Sequence, residues 1–438
     1  MRPRYHFTPE SNWLSDPNGL VHDGELWHMF YQYNPHGENW GHMSWGHAVS
    51  RDLVRWEEKS PALLADAHEM VFSGSAVLDS MNTAGFGEKA LVALYTAALS
   101  GDQPRQMQSL AYATAPDAAW QRYDGNPVLD LDMADFRDPF VFRHDPSESW
   151  VMIVVKSEEQ IAQIYRSQDL KAWHLASEFA AGAAPGLVWE CPTLVELPIA
   201  GTRQTRWLFK VDALRDAPGS GALYWTGSFD GYRFEADVND WRTVDNGRDF
   251  YAAVAWNGPR DECGRPVWLG WMGNHAYQHD FPLRGWRGVI SLPRRMDLKN
   301  ACDELLLSQQ VEPAVGKLFG PAQQLESSEL PGACRIDLET GFSGSLYIGD
   351  EKGSYIAVAS DGDQWGVKRR DQALPFLDCD SALVRRDGQG LSLWIDSETV
   401  ECLTADGTGC ASFQHRPSSS TLKIDCDQPN QVSVAALN

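Results

Sequence analysis

Short apolar or alternating runs recur through the first two thirds of the chain: Leu26–Tyr33, Ala90–Ala97, Trp150–Val155, Thr205–Val211 and Pro266–Gly273. Gly, Asp, Asn and Pro bound each run. Such lengths and boundaries predict strands joined by turns, because a helix needs a longer stretch with a 3.6-residue period.

A second pattern lies over the first. Ser50-Arg-Asp-Leu-Val-Arg-Trp56 returns as Ser167-Gln-Asp-Leu-Lys-Ala-Trp173, with looser copies at Thr114–Trp120 and Ser228–Phe234. The copies start 64, 53 and 61 residues apart. Asp52 and Asp169 are expected to cap turns inside this unit. About four short strands in every sixty residues describe a propeller blade. Five blades fit between the start and residue 297, although a fifth copy of the motif is not evident. The predicted class is therefore all-β, a five-bladed β-propeller over residues 1–297.

Beyond 297 the texture changes. Asp303-Glu-Leu-Leu-Leu-Ser-Gln-Gln310 predicts a short helical piece within a linker over 298–312. Residues 313–438 carry alternating segments such as Gly344–Ile348, Tyr355–Ala359 and Leu391–Ile395 between Gly/Asp turns, which predicts a separate β-sandwich.

Composition narrows the partners. Lys and Arg number 37 against 60 Asp and Glu, a net charge of −23. Nucleic acid and anionic membrane surfaces are thereby disfavoured, since both call for clustered cations. No apolar run approaches the roughly 20 residues of a membrane span. Asp16 lies close to the start, with no apolar leader ahead of it, which leads to the expectation of a cytoplasmic chain or a trimmed secreted form. Eight cysteines form neither CxxC nor a zinc spacing and are expected as free thiols, with a disulfide in the C-terminal third as the alternative. No cofactor or metal is expected; His275 and His279 lack a metal-site context. Of 18 Trp, 16 precede residue 300, and most of them are expected in the core. Some are candidate sugar platforms, and Trp40 and Trp45 are read as one platform and one core residue.

Three acidic motifs fall in phase with the repeat: Ser15-Asp16-Pro17-Asn18-Gly19, Arg137-Asp138-Pro139 and Trp189-Glu190-Cys191-Pro192. Asp16, Asp138 and Glu190 precede the motif copies at 50, 167 and 228 by 34, 29 and 38 residues. Each acid thus opens a blade, where the first strand lines the axis, so the three converge at one end of the channel. A proline beside the acid suits a backbone position with no ladder N–H to supply. Converging carboxylates suit glycoside cleavage, which needs one carboxyl protonated and one ionised about the anomeric carbon. Mutual repulsion raises one pKa above the others. On chemistry alone, which two of the three form the working pair stays open, as does retaining against inverting stereochemistry.

At these residues the chain resembles glycoside hydrolase family 32, the β-fructosidases. Further segments carry the likeness: Tyr31-Gln-Tyr-Asn-Pro35, Trp40-Gly-His-Met-Ser-Trp-Gly-His-Ala48, Phe72-Ser-Gly-Ser75, Asp249-Phe-Tyr-Ala252, Gly270-Trp-Met-Gly-Asn274, Ser291-Leu-Pro-Arg294 and Asp396-Ser-Glu-Thr-Val-Glu401. The resemblance implies a propeller followed by a sandwich, a small-molecule sugar substrate, and a retaining double displacement without metal. Asp16 would be the nucleophile, Glu190 the acid/base and Asp138 the stabiliser of the transition state. Ser15, Gln32, Trp40, Phe72, Ser73, Arg137 and Trp271 would line the sugar subsite. The implied activity is a β-fructofuranosidase acting on sucrose or short fructans. A fructosyltransferase and a non-catalytic sugar-binding propeller are the alternatives.

Two departures stand out. Ser15 replaces the family's usual Asn beside the nucleophile, which is expected either to loosen control of the nucleophile or to let a sugar acceptor compete with water. Arg295 replaces an acid after Leu-Pro-Arg and reads as structural. A phosphorylated substrate would need a basic cluster, for which Arg284, Arg287, Arg294 and Arg295 are the candidates.

Overall fold

The computed structural model describes residues 1–101, 103–182, 184–214, 219–301, 304–384 and 388–438. The chain is all-β, a five-bladed propeller followed by a two-sheet sandwich. The innermost strands of the blades are Asn12–His22, Glu69–Asp79, Phe136–His144, Glu190–Pro198 and Tyr251–Ala255. Each inner strand packs on the next, and the fifth returns to the first. The ring is also fastened by hydrogen bonding, because Trp286–Arg287 adds parallel to Asn12–Trp13 at the edge of blade one.

The repeat has a local cause. Asp52 Oδ1 accepts the N–H groups of Val54 and Arg55 at 3.0 and 2.8 Å. Asp169 does the same for Lys171 and Ala172 at 2.9 and 2.8 Å, and Asp230 for Tyr232 and Arg233 at 2.8 Å each. The residue after each Asp has positive φ, at Leu53, Leu170 and Gly231. The carboxylate satisfies the backbone of a tight turn, which turns the chain toward the blade's outer strand. The Trp or Phe that ends each motif then reaches the apolar layers, where Trp56, Trp173 and Phe234 all pack.

The expected linker is not one. Arg294–Ala301 and Glu304–Val311 are antiparallel partners and form the outer half of blade five. The run 303–310 favours a helix locally, but pairing with the preceding strand holds Leu305–Leu307 extended, with Leu307 buried and Leu305 and Leu306 partly so. Cys302 and Asp303 lie outside the described residues.

The sandwich stacks two six-stranded sheets. Ile336, Leu393 and Phe413 from one meet Leu346, Ile348 and Trp365 from the other in its core. Its junction with the propeller joins an apolar cluster, including Tyr5, Val54 and Leu292 with Trp394 and Leu403, to a set of buried polar contacts. Asp396 accepts the backbone N–H of Arg4, Tyr5 and His6 at 2.7–2.9 Å. Arg294 of blade five spans from Glu401 to Asp245 and Ser412, and Arg369 of the sandwich reaches Asp249 at 2.6 Å. Arg284 pairs with Glu398, and Arg295 with Glu312. Arg287 donates to Asn39 and the Phe281 carbonyl. The four arginines considered for a phosphate are therefore engaged in structural contacts instead. No helix among the described residues is long and apolar enough to cross a membrane. The seven described cysteines are all free thiols, and Cys263 alone among them is exposed.

Candidate active site

Every inner strand breaks its pairing register at the same height. The irregularities fall at Leu14–Pro17, Val71–Gly74, Arg137–Phe140, Glu190–Thr193 and Tyr251–Val254. A β-bulge lifts residues out of the ladder and re-aims their side chains. Pro139 and Pro192 sit inside two of these bulges and Pro17 at the edge of a third, where a missing N–H costs little. Asp138, Cys191 and Ala252 take positive φ, with values of 66°, 45° and 53°. Such backbone is costly for residues with a Cβ and persists only where its surroundings over-determine it. Five bulges in phase thus turn Asp16, Ser73, Asp138, Glu190 and Tyr251 toward one mouth of the channel.

The acids form one connected cluster. Asp16 Oδ2 accepts the Ser73 hydroxyl at 2.8 Å and lies 3.9 Å from Cys191 Sγ. The Cys191 N–H donates to Asp138 Oδ2 at 2.9 Å, so a single residue joins two of the carboxylates. The next residue back, Glu190, accepts Arg137 Nη2 on Oε1 at 3.1 Å and the Tyr251 hydroxyl on Oε2 at 2.5 Å. Asp138 is steadied from behind, its N–H donating to Thr96 Oγ1 at 2.8 Å. Asp16 Oδ1 is shielded from solvent and has no hydrogen-bond partner among the described residues.

Environment separates the three acids. Burial pushes Asp138 up to about 7, Arg137 opposing and Glu190 and Asp16 adding to the rise. Burial also lifts Asp16; Glu190 adds to the lift, while His275 and the Ser73 bond oppose it. At Glu190 burial is outweighed by Arg137, His275 and the bonds from Tyr251 and Arg137, so its pKa falls below the ordinary value. The pocket thus shifts the acids in opposite directions, Glu190 toward the anion and Asp16 and Asp138 toward the protonated form.

The other expected residues divide. Gln32 is buried and donates to the Val71 carbonyl at 3.0 Å, beside the Phe72–Ser73 segment. Trp40 is 45% exposed and meets Phe72 edge-on at 5.9 Å, whereas Trp45 is wholly buried, so Trp45 is the core residue of the two and Trp40 keeps a face toward solvent. Trp271 is buried against Trp13, Tyr251 and His275, and its indole N–H has no partner among the described residues. Ser15 is buried with its hydroxyl accepting the Trp13 indole N–H at 3.2 Å, so it is occupied within its own strand.

Sequence reasoning passed over Tyr251, His275, Cys191 and the pair Lys210–Asp212. His275 was weighed only as a metal ligand, yet it stands 5.1 Å from the Tyr251 ring and 5.0 Å from Trp271. Lys210 and Asp212 are fully buried behind Glu190 and form an ion pair. Lys210 Nζ also donates to the carbonyls of Cys191 and Ala253 at 3.2 and 2.8 Å, tying together the bulges of blades four and five. The phase of Tyr251 within the repeat was the available signal for it. An isolated Lys-x-Asp in a strand carries none.

The recess between Ser73, Asp138 and Cys191 measures about 10 Å³, while a cleft of about 910 Å³ opens at the far mouth of the propeller. The former is the floor beneath the acids, and what singles it out is the grouping of carboxyls.

Carboxylates held in unlike environments at one pocket are the equipment of a glycoside-cleaving enzyme. The comparison with known proteins agrees: residues 6–309 match the glycosyl hydrolases family 32 N-terminal domain, and the chain belongs to that family. It is 42% identical over 356 residues to the levanase of Bacillus subtilis (strain 168), covering 79% of this chain and 52% of that one. To the extracellular exo-inulinase of Aspergillus awamori it is 41% identical over 352 residues, 72% of this chain and 65% of the relative. The crystal structure of exo-inulinase from that organism superposes with a TM-score of 0.89 at 30% identity, over 100% of this chain and 98% of the other. The fructofuranosidase of Schwanniomyces occidentalis complexed with fructose gives 0.85 at 29%, with the same coverage. The chain spans about half to two thirds of the length of these curated relatives, 52% and 65%.

Proposed function

We propose that the protein is a retaining β-fructofuranosidase that releases terminal β-linked fructose from sucrose and short fructans. The observation that carries this reading is the cluster itself, with Cys191 touching both Asp16 and Asp138 while Glu190 beside it is held by Arg137 and Tyr251. The levanase, exo-inulinase and fructofuranosidase relatives support the substrate class. In the first step an Asp16 oxygen attacks the anomeric carbon of fructose, and Glu190 gives its proton to the departing oxygen as that bond breaks. In the second, Glu190 takes a proton from water, the water oxygen attacks the same carbon, and Asp16 leaves as a carboxylate. Asp138 and Arg137 would hold fructose hydroxyls through both. Gln32, Trp40, Phe72, Ser73 and Trp271 would frame the ring, with Ser15 bracing the strand beneath.

In this assignment Asp16 acts as an anion and Glu190 as an acid, each against the direction in which the empty pocket shifts it. Sugar hydroxyls donating to Asp16, whose Oδ1 has no partner among the described residues, favour its ionised form. A leaving oxygen that displaces Arg137 or Tyr251 from Glu190 removes the bonds that hold Glu190 charged. Substrate entry is thus the event that arms the pair.

The decisive experiment measures glucose and fructose released from sucrose over a range of sucrose concentrations. Equal amounts throughout mean that water is the acceptor. Glucose in excess, growing with sucrose, means that fructose is transferred, and no release of either sugar overturns the enzymatic reading. Asp16→Ala and Glu190→Gln are expected to abolish turnover and leave the melting temperature unchanged. Mass spectrometry of quenched wild-type enzyme tests the covalent fructosyl-enzyme. For the compartment, the free thiols support a reducing, cytoplasmic one, and the relatives named extracellular support secretion. Fractionation of the source cells distinguishes the two.

A further inference from the structure

The inner strands that carry the acids at one end run on to a second mouth. On Phe136–His144, Asp138 lies six residues from His144, and on Glu190–Pro198 the acid is eight residues from Pro198. At about 3.3 Å per residue these ends lie roughly 15–25 Å from the acids, and Phe140, which lines the cleft at this mouth, also floors the recess beneath them. Between blades three and four they open into the cleft of about 910 Å³, within the range of small-molecule sites.

The lining has two characters. One wall is aromatic, with Trp207 against Phe229 at 4.9 Å and Phe142 at 5.6 Å, and His144 at 5.3 Å from Phe229. Trp207 is only partly buried, so part of its surface is free for contact. The rest is charged but balanced: Arg143, Arg203 and Arg260 against Asp145, Glu196 and Asp230. An anionic ligand would require uncompensated cations, and a cationic one uncompensated acids. Interspersed donors and acceptors beside aromatic faces suit a neutral, polyhydroxylated molecule, whose C–H faces stack while its hydroxyls both give and accept. Arg143 Nε is a shielded donor without a hydrogen-bond acceptor among the described residues, its nearest carboxylate oxygen, on Asp145, being 3.8 Å away.

We propose that this far mouth is a second, non-catalytic binding site for a neutral oligosaccharide. It is separate from the acid cluster and stands whether or not that cluster hydrolyses fructosides. A site of this kind would hold a polymeric substrate, or a product, against the enzyme without entering the reaction. Cys263 reports on it, because this exposed thiol lines the cleft.

The test follows alkylation of Cys263 by iodoacetamide, with the site identified by mass spectrometry, in the Asp16→Ala protein so that no sugar is consumed. The probes are an inulin-type fructo-oligosaccharide and a malto-oligosaccharide of equal length. At ten times its Kd, a bound sugar is expected to slow alkylation roughly tenfold, as occupancy dictates. Trp207→Ala is expected to remove this protection, and Arg203→Ala, which alters only the rim, to weaken it. Neither change should affect sucrose turnover when made in the wild-type chain. Protection by either sugar, lost in these variants, supports the site. Absence of protection by both sugars up to their solubility, or protection by sulfate as strong as by sugar, overturns it. Protection that survives both substitutions overturns it as well, since the sugar would then act elsewhere.

Discussion

Tyr251 donates its hydroxyl to Glu190 Oε2 across 2.5 Å, from the neighbouring blade, while Asp249 two residues earlier is gripped by Arg369 of the sandwich. The second domain is thereby connected to Glu190 through the three consecutive residues Asp249, Phe250 and Tyr251. Gln414 strengthens the grip, its backbone N–H donating to Asp249 at 2.7 Å. A sandwich that bears no acid of the cluster thus helps to fix where Tyr251 stands.

Tyr251→Phe removes a bond that stabilises the ionised form of Glu190, so the Glu190 pKa rises. If Glu190 donates the proton, the alkaline limb of the kcat/KM profile moves to higher pH, by about one unit. An unmoved limb with reduced kcat would mean that Tyr251 orients without tuning. The profile against pH on sucrose separates the two.

Lys210→Met leaves Asp212 buried without its counter-ion and releases the carbonyls of Cys191 and Ala253. Breaking one half of a buried pair costs about 3–5 kcal/mol. Urea unfolding is expected to register that loss. The double change Lys210→Met with Asp212→Leu should recover much of the stability but not the activity, since the two bulges remain untied.

Gly74→Ala would bring a Cβ to 2.1 Å from the Leu94 carbonyl oxygen and 2.7 Å from Tyr95 Cα, both backbone atoms that cannot step aside. The strand carrying Ser73 must shift, and with it the bond that holds Asp16. A destabilisation of about 1–3 kcal/mol is expected. The fall in kcat should exceed anything that the loss of folded protein explains, as measured by activity per folded molecule.

His6 supplies a pH dependence of stability. Burial opposes its charge, but bonds to Asp396 at 3.0 Å and Glu401 at 2.8 Å outweigh this and raise it from 6.5 to about 9. A raised pKa stabilises the fold fully below the unfolded value near 6.5, and that contribution fades as pH rises through 9. His6→Gln should therefore narrow the gap in melting temperature between pH 6 and pH 9.5, with a contribution on the order of 3 kcal/mol lost from the low-pH side.

Much of this was legible in the chain. The propeller followed from the Ser-x-Asp…Trp unit because the Asp that caps each turn must sit at a fixed distance from the turn it closes. The acids followed from their phase, since a repeat that opens every blade on the axis brings position-equivalent residues together. Blade five was misread at its end, where Leu305–Leu307 become strand only through pairing with residues 294–301. The pairing partner, not the run itself, makes that choice.

What the sequence determined by itself was therefore periodic and local: strand lengths, turn capping, the order of blades, and the convergence of Asp16, Asp138 and Glu190. Tertiary structure alone decided the state of those acids. Glu190 is held ionised by Arg137 from the next blade back and Tyr251 from the next blade forward, and Asp16 and Asp138 are raised by burial. Charge regulation depends on distance and desolvation, which are sums over neighbours from the whole ring. No window of sequence contains them.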